Sequence, residues 1–141
     1  MCDKISILNM GEHMDYTKEE LSEMLKKQQM SSAALETLLK ARENKEISFT
    51  LIDIREVFEF TSSSIEGTDL LLPTSMIQKH VGKFEEMKDE PIVLYCRTGN
   101  RTGQVMHALH NMGLQNVVHL CDGIVAYRGE TNLGAKIPNE L

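Results

Sequence analysis

The 141-residue sequence lacks any apolar run of membrane-spanning length. Its longest candidates are strand-sized pieces such as Ile92 to Cys96, well short of the roughly eighteen residues a span requires. It also lacks an excess of basic charge. A formal net charge of -6 argues against a surface that tracks nucleic-acid phosphates or anionic lipid. The expectation is a soluble, acidic protein with neither a nucleic-acid nor a membrane partner. Cysteine is sparse: three, at positions 2, 96 and 121, with no Cys-x-x-Cys spacing. That set fits neither a disulfide framework nor a zinc site, so thiol chemistry, if present, rests on one cysteine. The opening MCDKISILNMGEHMDY has only the patch Ile5 to Leu8, beside Asp3 and Glu12, and lacks the core of a secretory signal. Cytoplasm is therefore the expected compartment, with Cys2 read as a plain terminal thiol rather than a lipidation site. Internal repeats and low-complexity segments are absent.

What is present reads as one domain, because 41% apolar content over this length supplies one packed core. Thr17 and Glu20 form a capping box and Tyr16 can staple to Leu21, predicting a helix to about residue 29. Its narrow stripe of Leu21, Met24 and Leu25 suits either packing onto the domain or a partner or dimer surface. Ser31 and Ser32 can cap a second helix carrying Ala34, Leu35, Leu38 and Leu39. From Phe49 the period changes. Phe49 to Ile54, Leu70 to Leu72, Ile92 to Tyr95 and Val117 to Leu120 read as buried strands. Between them lie helical stretches: Glu56 to Ser62, Thr74 to Met87 with Ile77, Val81 and Phe84 inward, and Thr102 to Met112 with Val105, Leu109 and Met112 inward. Strand alternating with helix implies an α/β fold, a mostly parallel open sheet of four to five strands with helices on both faces. Residues 1–30 are expected as an N-terminal helical extension and 31–141 as the main domain.

In such sheets functional groups collect beyond the carboxyl ends of the strands. Cys96 stands there, directly after Ile92 to Tyr95, and opens Cys96-Arg-Thr-Gly-Asn-Arg101 at a strand-to-helix junction. Helix N-terminal amides and nearby arginines favour negative charge on sulfur. Gly99 permits a sharp turn with inward amides, and Thr98 and Asn100 add side-chain donors. Arg97 is suited to recruiting an oxyanionic donor and Arg101 to holding the loop through an acid, for which Asp53 is the candidate. A lone cysteine ending an apolar strand is ordinarily a small buried hydrophobe. Packing alone, however, has no need of two arginines and a glycine turn at that junction.

Leu51-Ile-Asp-Ile-Arg-Glu56 and Cys96-Arg-Thr-Gly-Asn-Arg-Thr102 resemble the first-strand signature and the active-site loop of rhodanese domains. Ser64-Ile-Glu-Gly67, Asn116-Val117 and Asp122-Gly123 fit the same order. The resemblance spans about Ser31 to Ile137, and the loop is its specific part. It implies a rhodanese-like fold and transfer of sulfane sulfur from thiosulfate or polysulfide, through a Cys96 persulfide, to a thiol or cyanide acceptor by ping-pong chemistry without a non-protein cofactor. Where the family often has His, Gly and Trp, this chain has Ser64, Ile124 and Tyr127.

Two rival readings follow from the same residues. A phosphatase or arsenate reductase of this fold would resemble the site, but the phosphatase cradle is one residue longer between Cys and Arg, to fit a tetrahedral oxyanion. A persulfide carrier fed by a partner enzyme would keep Cys96 and the loop; under either reading a homodimer or a protein sulfur acceptor is an expected partner. His107 and His110 at i, i+3 have no third ligand, so no metal is expected. Cys121, on the same sheet end as Cys96, reads either as buried or as a residue that resolves the persulfide. The nine methionines read as gap fillers.

Overall fold

The computed structural model describes residues 16–141. The readings made for residues 1 to 15, including the Ile5 to Leu8 patch and the Cys2 thiol, lie outside the described residues. In chain order the elements are α1 (Lys18–Lys26), β1 (Gln29–Met30), α2 (Ser32–Glu43), β2 (Thr50–Asp53), α3 (Val57–Ser62), β3 (Ser64–Ile65), β4 (Leu70–Leu71), α4 (Ile77–Glu86), β5 (Ile92–Tyr95), α5 (Asn100–Asn111), β6 (Val117–Leu120) and β7 (Thr131–Asn132). Short 3-10 turns occur at Thr74–Met76 and Ile124–Ala126.

The four apolar runs pair as parallel strands, and a fifth, β1, adds to the edge, giving the order β1-β6-β5-β2-β4. β3 and β7 form a separate antiparallel pair. Side chains alternate across a strand, so each central strand feeds two cores. Leu51, Val93, Tyr95, Val118 and Leu120 pack with α1 and α2 on one face. Ile52, Ile54, Ile92, Leu94, Cys96 and Val117 pack with Phe84 of α4 and with Met106 and Leu109 of α5 on the other. The expected α/β sheet with helices on both faces is the observed one.

The helix starts follow their caps. Thr17 and Glu20 close a full capping box on α1, and Ser31 accepts from the Ala34 amide to start α2. α1 stops at Lys26, earlier than its polar tail suggests, because the chain turns extended at Lys27 to form β1. Leu21 and Leu25 are 2% and 6% exposed and share the core of the main sheet. That stripe is occupied by packing onto the domain. The inward stripe of α5 is shifted from the expected one. Thr102, Met106 and Leu109 are buried, while Met112, beyond the last turn, is exposed. Among the described residues no helix is long and apolar enough to cross a membrane.

Candidate active site

β5 lies at the centre of the sheet, and its last residue is followed by Cys96, which is fully buried on the α4/α5 face. The chain then turns through Gly99, at φ +97°, directly into α5. This turn brings the Gly99 amide back toward sulfur, and its N–H donates to Cys96 Sγ at 3.1 Å. Thr102, in the first turn of α5, places its hydroxyl 3.6 Å from the same sulfur. Positive φ alone favours glycine at 99, and contact adds a second reason: a Cβ there would overlap the Cys121 carbonyl.

A second glycine corner closes over the loop from outside. Gly123, at φ +71°, abuts the Arg97 carbonyl where a Cβ would have no room. The Ile124 amide donates to the Cys96 carbonyl at 2.9 Å, and the Val125 amide to that of Arg97 at 3.2 Å. Ile124, which replaces a glycine common in the family, serves here through its backbone. The Cys96 and Arg97 carbonyls are thus satisfied by the 123–125 corner, while the Gly99 amide is the one that donates to sulfur.

Arg97, Thr98 and Asn100 are exposed, whereas Arg101 is half-buried. Arg101 donates to both oxygens of Glu59 in α3, at 2.9 and 3.0 Å. The Arg101 hydrogen bond holds the Glu59 carboxyl below its ordinary range, and the same bond raises the Arg101 guanidinium. Glu59 is fixed in turn by the Glu56 amide, 2.8 Å from Oε2, as part of the capping box of α3.

The acid that ties Arg101 is therefore Glu59, and the expected pairing with Asp53 is corrected. Strand alternation gives the reason. Asp53 has the parity of Leu51, which places it on the face opposite Cys96 and α5. There it makes a forked pair with Arg55, 2.8 Å from Nη2, and accepts the Arg55 amide at 2.9 Å. Burial pushes the Asp53 carboxyl up, against the opposing pull of these bonds. Arg55 also donates to the Ser63 carbonyl and lies over the Tyr95 ring. Tyr95 completes the group, its hydroxyl meeting Thr68 at 2.8 Å and the Ile65 amide at 3.2 Å. The cluster braces the end of β5 from the far face of the sheet, and breaking such a buried pair costs about 3–5 kcal/mol.

Sequence reasoning passed over two residues at this site. Glu59 carries a weak signal, an acid in the first turn of the helix after β2. The other is His119, which faces Cys96 on β6 by strand parity and meets Thr102 Oγ1 through Nδ1 at 2.8 Å. Burial alone lowers its imidazole. Ser64, where the family often has His, is buried in β3. His107 and His110 hydrogen-bond Asn111 and the Val117 carbonyl respectively.

The comparisons with known proteins agree with this architecture. The model of the rhodanese-like domain family matches residues 34–130. Over 77 residues the chain is 38% identical to a probable adenylyltransferase/sulfurtransferase, MoeZ, of Mycobacterium tuberculosis, covering 55% of this chain and 19% of that protein. It is 30% identical over 87 residues to the uncharacterized YibN of Escherichia coli, covering 62% of this chain and 60% of that one. The chain thus spans less than two thirds of either relative. A rhodanese-like domain protein from Staphylococcus aureus superposes at TM-score 0.61 with 20% identity, over 77% of this chain and 100% of its own. A thiosulfate sulfurtransferase from Pseudomonas aeruginosa gives TM-score 0.66 with 18% identity, over 85% of this chain and 23% of its own. At these identities the structures speak for the fold, and the family match adds the sequence. A buried cysteine at the end of the central parallel strand, under a glycine-turned loop, stands within the matched segment: the chain belongs to the rhodanese-like domain family.

Proposed function

We propose that this protein is a sulfurtransferase that moves sulfane sulfur from thiosulfate or polysulfide, through a persulfide on Cys96, to a thiol or cyanide acceptor. The observation that carries the reading is the position of Cys96 Sγ, at the end of β5, accepting the Gly99 amide at 3.1 Å beneath a loop tied by Arg101 and Glu59. That MoeZ is a probable adenylyltransferase/sulfurtransferase and the Pseudomonas protein a thiosulfate sulfurtransferase supports it.

In the first half-reaction the Cys96 thiolate attacks the outer sulfur of thiosulfate. The donor S–S bond breaks, its electron pair departs with sulfite, and Cys96 holds the persulfide. In the second, an acceptor thiolate or cyanide attacks the terminal sulfur, and the Cys96 S–S electron pair returns to Cys96 as thiolate. The Gly99 amide and the Thr102 hydroxyl stabilise sulfur whenever it carries charge. Exposed Arg97 meets the anionic end of the donor, while Arg101, its charge engaged by Glu59, holds the loop. Phe58, next to Glu59 on α3, and Val125, whose amide holds the Arg97 carbonyl, are 70% and 60% exposed and offer apolar surface suited to an acceptor thiol carried on a protein.

Steady-state transfer from thiosulfate to cyanide, with both concentrations varied, tests the reading. Parallel double-reciprocal lines and loss of turnover in Cys96→Ser are expected. Turnover that survives Cys96→Ser contradicts it.

A further inference from the structure

His119 is a buried titratable side chain that sulfur transfer as described above does not use. It lies on β6 in register with Leu94 of β5, two residues before Cys96, so strand parity turns it and the Cys96 side chain to the same face. Between them stands Thr102. Its Oγ1 is 2.8 Å from His119 Nδ1, 3.6 Å from Cys96 Sγ and 3.1 Å from the Gly99 carbonyl. A hydroxyl has one proton and two lone pairs, so these three neighbours compete for it, and the tautomer of His119 decides the outcome.

With the proton on Nδ1, His119 donates to Thr102 and the network is complete in both states of the sulfur. When sulfur is protonated, Thr102 accepts from both His119 and S–H and donates to the Gly99 carbonyl. When sulfur is anionic, the hydroxyl proton turns to Sγ, and the Gly99 carbonyl keeps the Gly103 amide at 3.0 Å. With Nδ1 unprotonated, it instead takes the Thr102 proton as an acceptor and leaves sulfur without that donor. We propose that His119 is a positioning residue for Cys96: its Nδ1–H donates to Thr102 Oγ1 and thereby reserves the Thr102 hydroxyl proton for the charged sulfur. The inference rests on Cys96 being the sulfur-carrying nucleophile proposed above.

The surroundings keep the ring neutral, the state in which one nitrogen donates and the other accepts. β1 and β5 place Gln29 and Leu94 in register with His119, and α5 brings Thr102 and Gly103 to the ring, with Cys96 beyond them. Arg101, on the same helix, is paired with Glu59. α1 packs on the other face of the sheet, where its charged residues Lys18, Glu19, Glu20, Glu23 and Lys26 are exposed. Burial, with no charged neighbour contributing, opposes a charged imidazolium.

The test is the pH profile of iodoacetamide alkylation, followed at Cys96 by peptide mass, in full-length protein. An asparagine amide falls where Nδ1 sits and can donate to Thr102, whereas a glutamine amide falls at Nε2. His119→Asn is expected to keep the wild-type midpoint. His119→Gln is expected to raise the midpoint by about one pH unit and slow alkylation at neutral pH about ten-fold, the scale of one hydrogen bond to a charged group. Thr102→Val is expected to shift the profile as His119→Gln does, and the double variant no further. Equal profiles for the Asn and Gln variants, or a full additional effect of His119→Gln in the Thr102→Val background, overturn the proposal. Alkylation reads the Cys96 thiolate and involves no sulfur donor, so a failure of sulfur loading, which would sink the proposed function, leaves this readout intact.

Discussion

Arg101 is clasped at both terminal nitrogens by one carboxylate, Glu59, which comes from a helix 42 residues earlier in the chain. The pair locks the start of α5 to α3, and through α5 it sets the Gly99 amide and the Thr102 hydroxyl against sulfur. Glu59→Gln is expected to lower kcat/KM for thiosulfate about ten-fold, equivalent to about 1.4 kcal/mol of transition-state stabilisation. Steady-state kinetics on the folded variant check this, and an unchanged kcat/KM would remove the pair from the account.

The same pair gives a pH dependence with a definite sign. Arg101 depresses the folded-state pKa of Glu59 below its unfolded value, so its stabilisation is fully present above the ordinary Glu range, roughly pH 4.3. It is lost as pH falls through the depressed value. The stability gap between wild type and Glu59→Gln is therefore expected to hold steady from neutral pH down to about 5 and to close on further acidification. Urea denaturation at several pH values measures it. A gap that widens on acidification contradicts the assignment.

Much of this architecture is legible from residue order. Cys96, Gly99 and the apolar runs around them announce a central strand, a turn and a helix, and the capping box at Thr17 and Glu20 marks α1. What escaped has physical causes. Gln29–Met30 is too short for a period of two to show, so β1 emerges only from its pairing with β6. Glu59 and Arg101 are joined by a crossover, and local sequence carries no trace of that contact. Asp53 was the wrong acid for a reason strand parity already contains: alternate residues of β2 point to opposite faces, and Asp53 shares the face of Leu51. His119 reads in the sequence as strand and nothing more, because its contact with Thr102 joins β6 to α5 and leaves no local pattern.

Glycines divide by what surrounds them. Gly99 and Gly123 have positive φ, and a Cβ at either would overlap a backbone carbonyl, whereas Gly113, at φ +90°, has nothing within 4 Å. Gly113→Ala is expected to cost about 1–2 kcal/mol from backbone conformation alone. Gly99→Ala and Gly123→Ala are expected to cost more, about 3 kcal/mol or above, and to displace the loop. Chemical denaturation of the three variants ranks them, and equal costs would show that the loop yields without resistance.

Arg97 is exposed, and in the proposed reaction it is the residue that meets the donor before sulfur transfer begins. Arg97→Gln is expected to raise KM for thiosulfate several-fold, about 5–10, with kcat little changed, the pattern of lost uniform binding. Added salt is expected to raise the wild-type KM and narrow the difference, since an exposed charge is screened within about 10 Å at ordinary ionic strength. Initial rates at two salt concentrations decide it. A drop in kcat at constant KM would place Arg97 in the transfer step itself.

The central claim is that Cys96 carries sulfur, and intact mass tests it most directly. The protein is incubated with thiosulfate, and separately with polysulfide, alongside Cys96→Ser, and cyanide is then added. A gain of one sulfur atom that depends on Cys96 and is lost to cyanide is the predicted result. Failure of both donors to load the wild-type protein, or equal loading of Cys96→Ser, would contradict it.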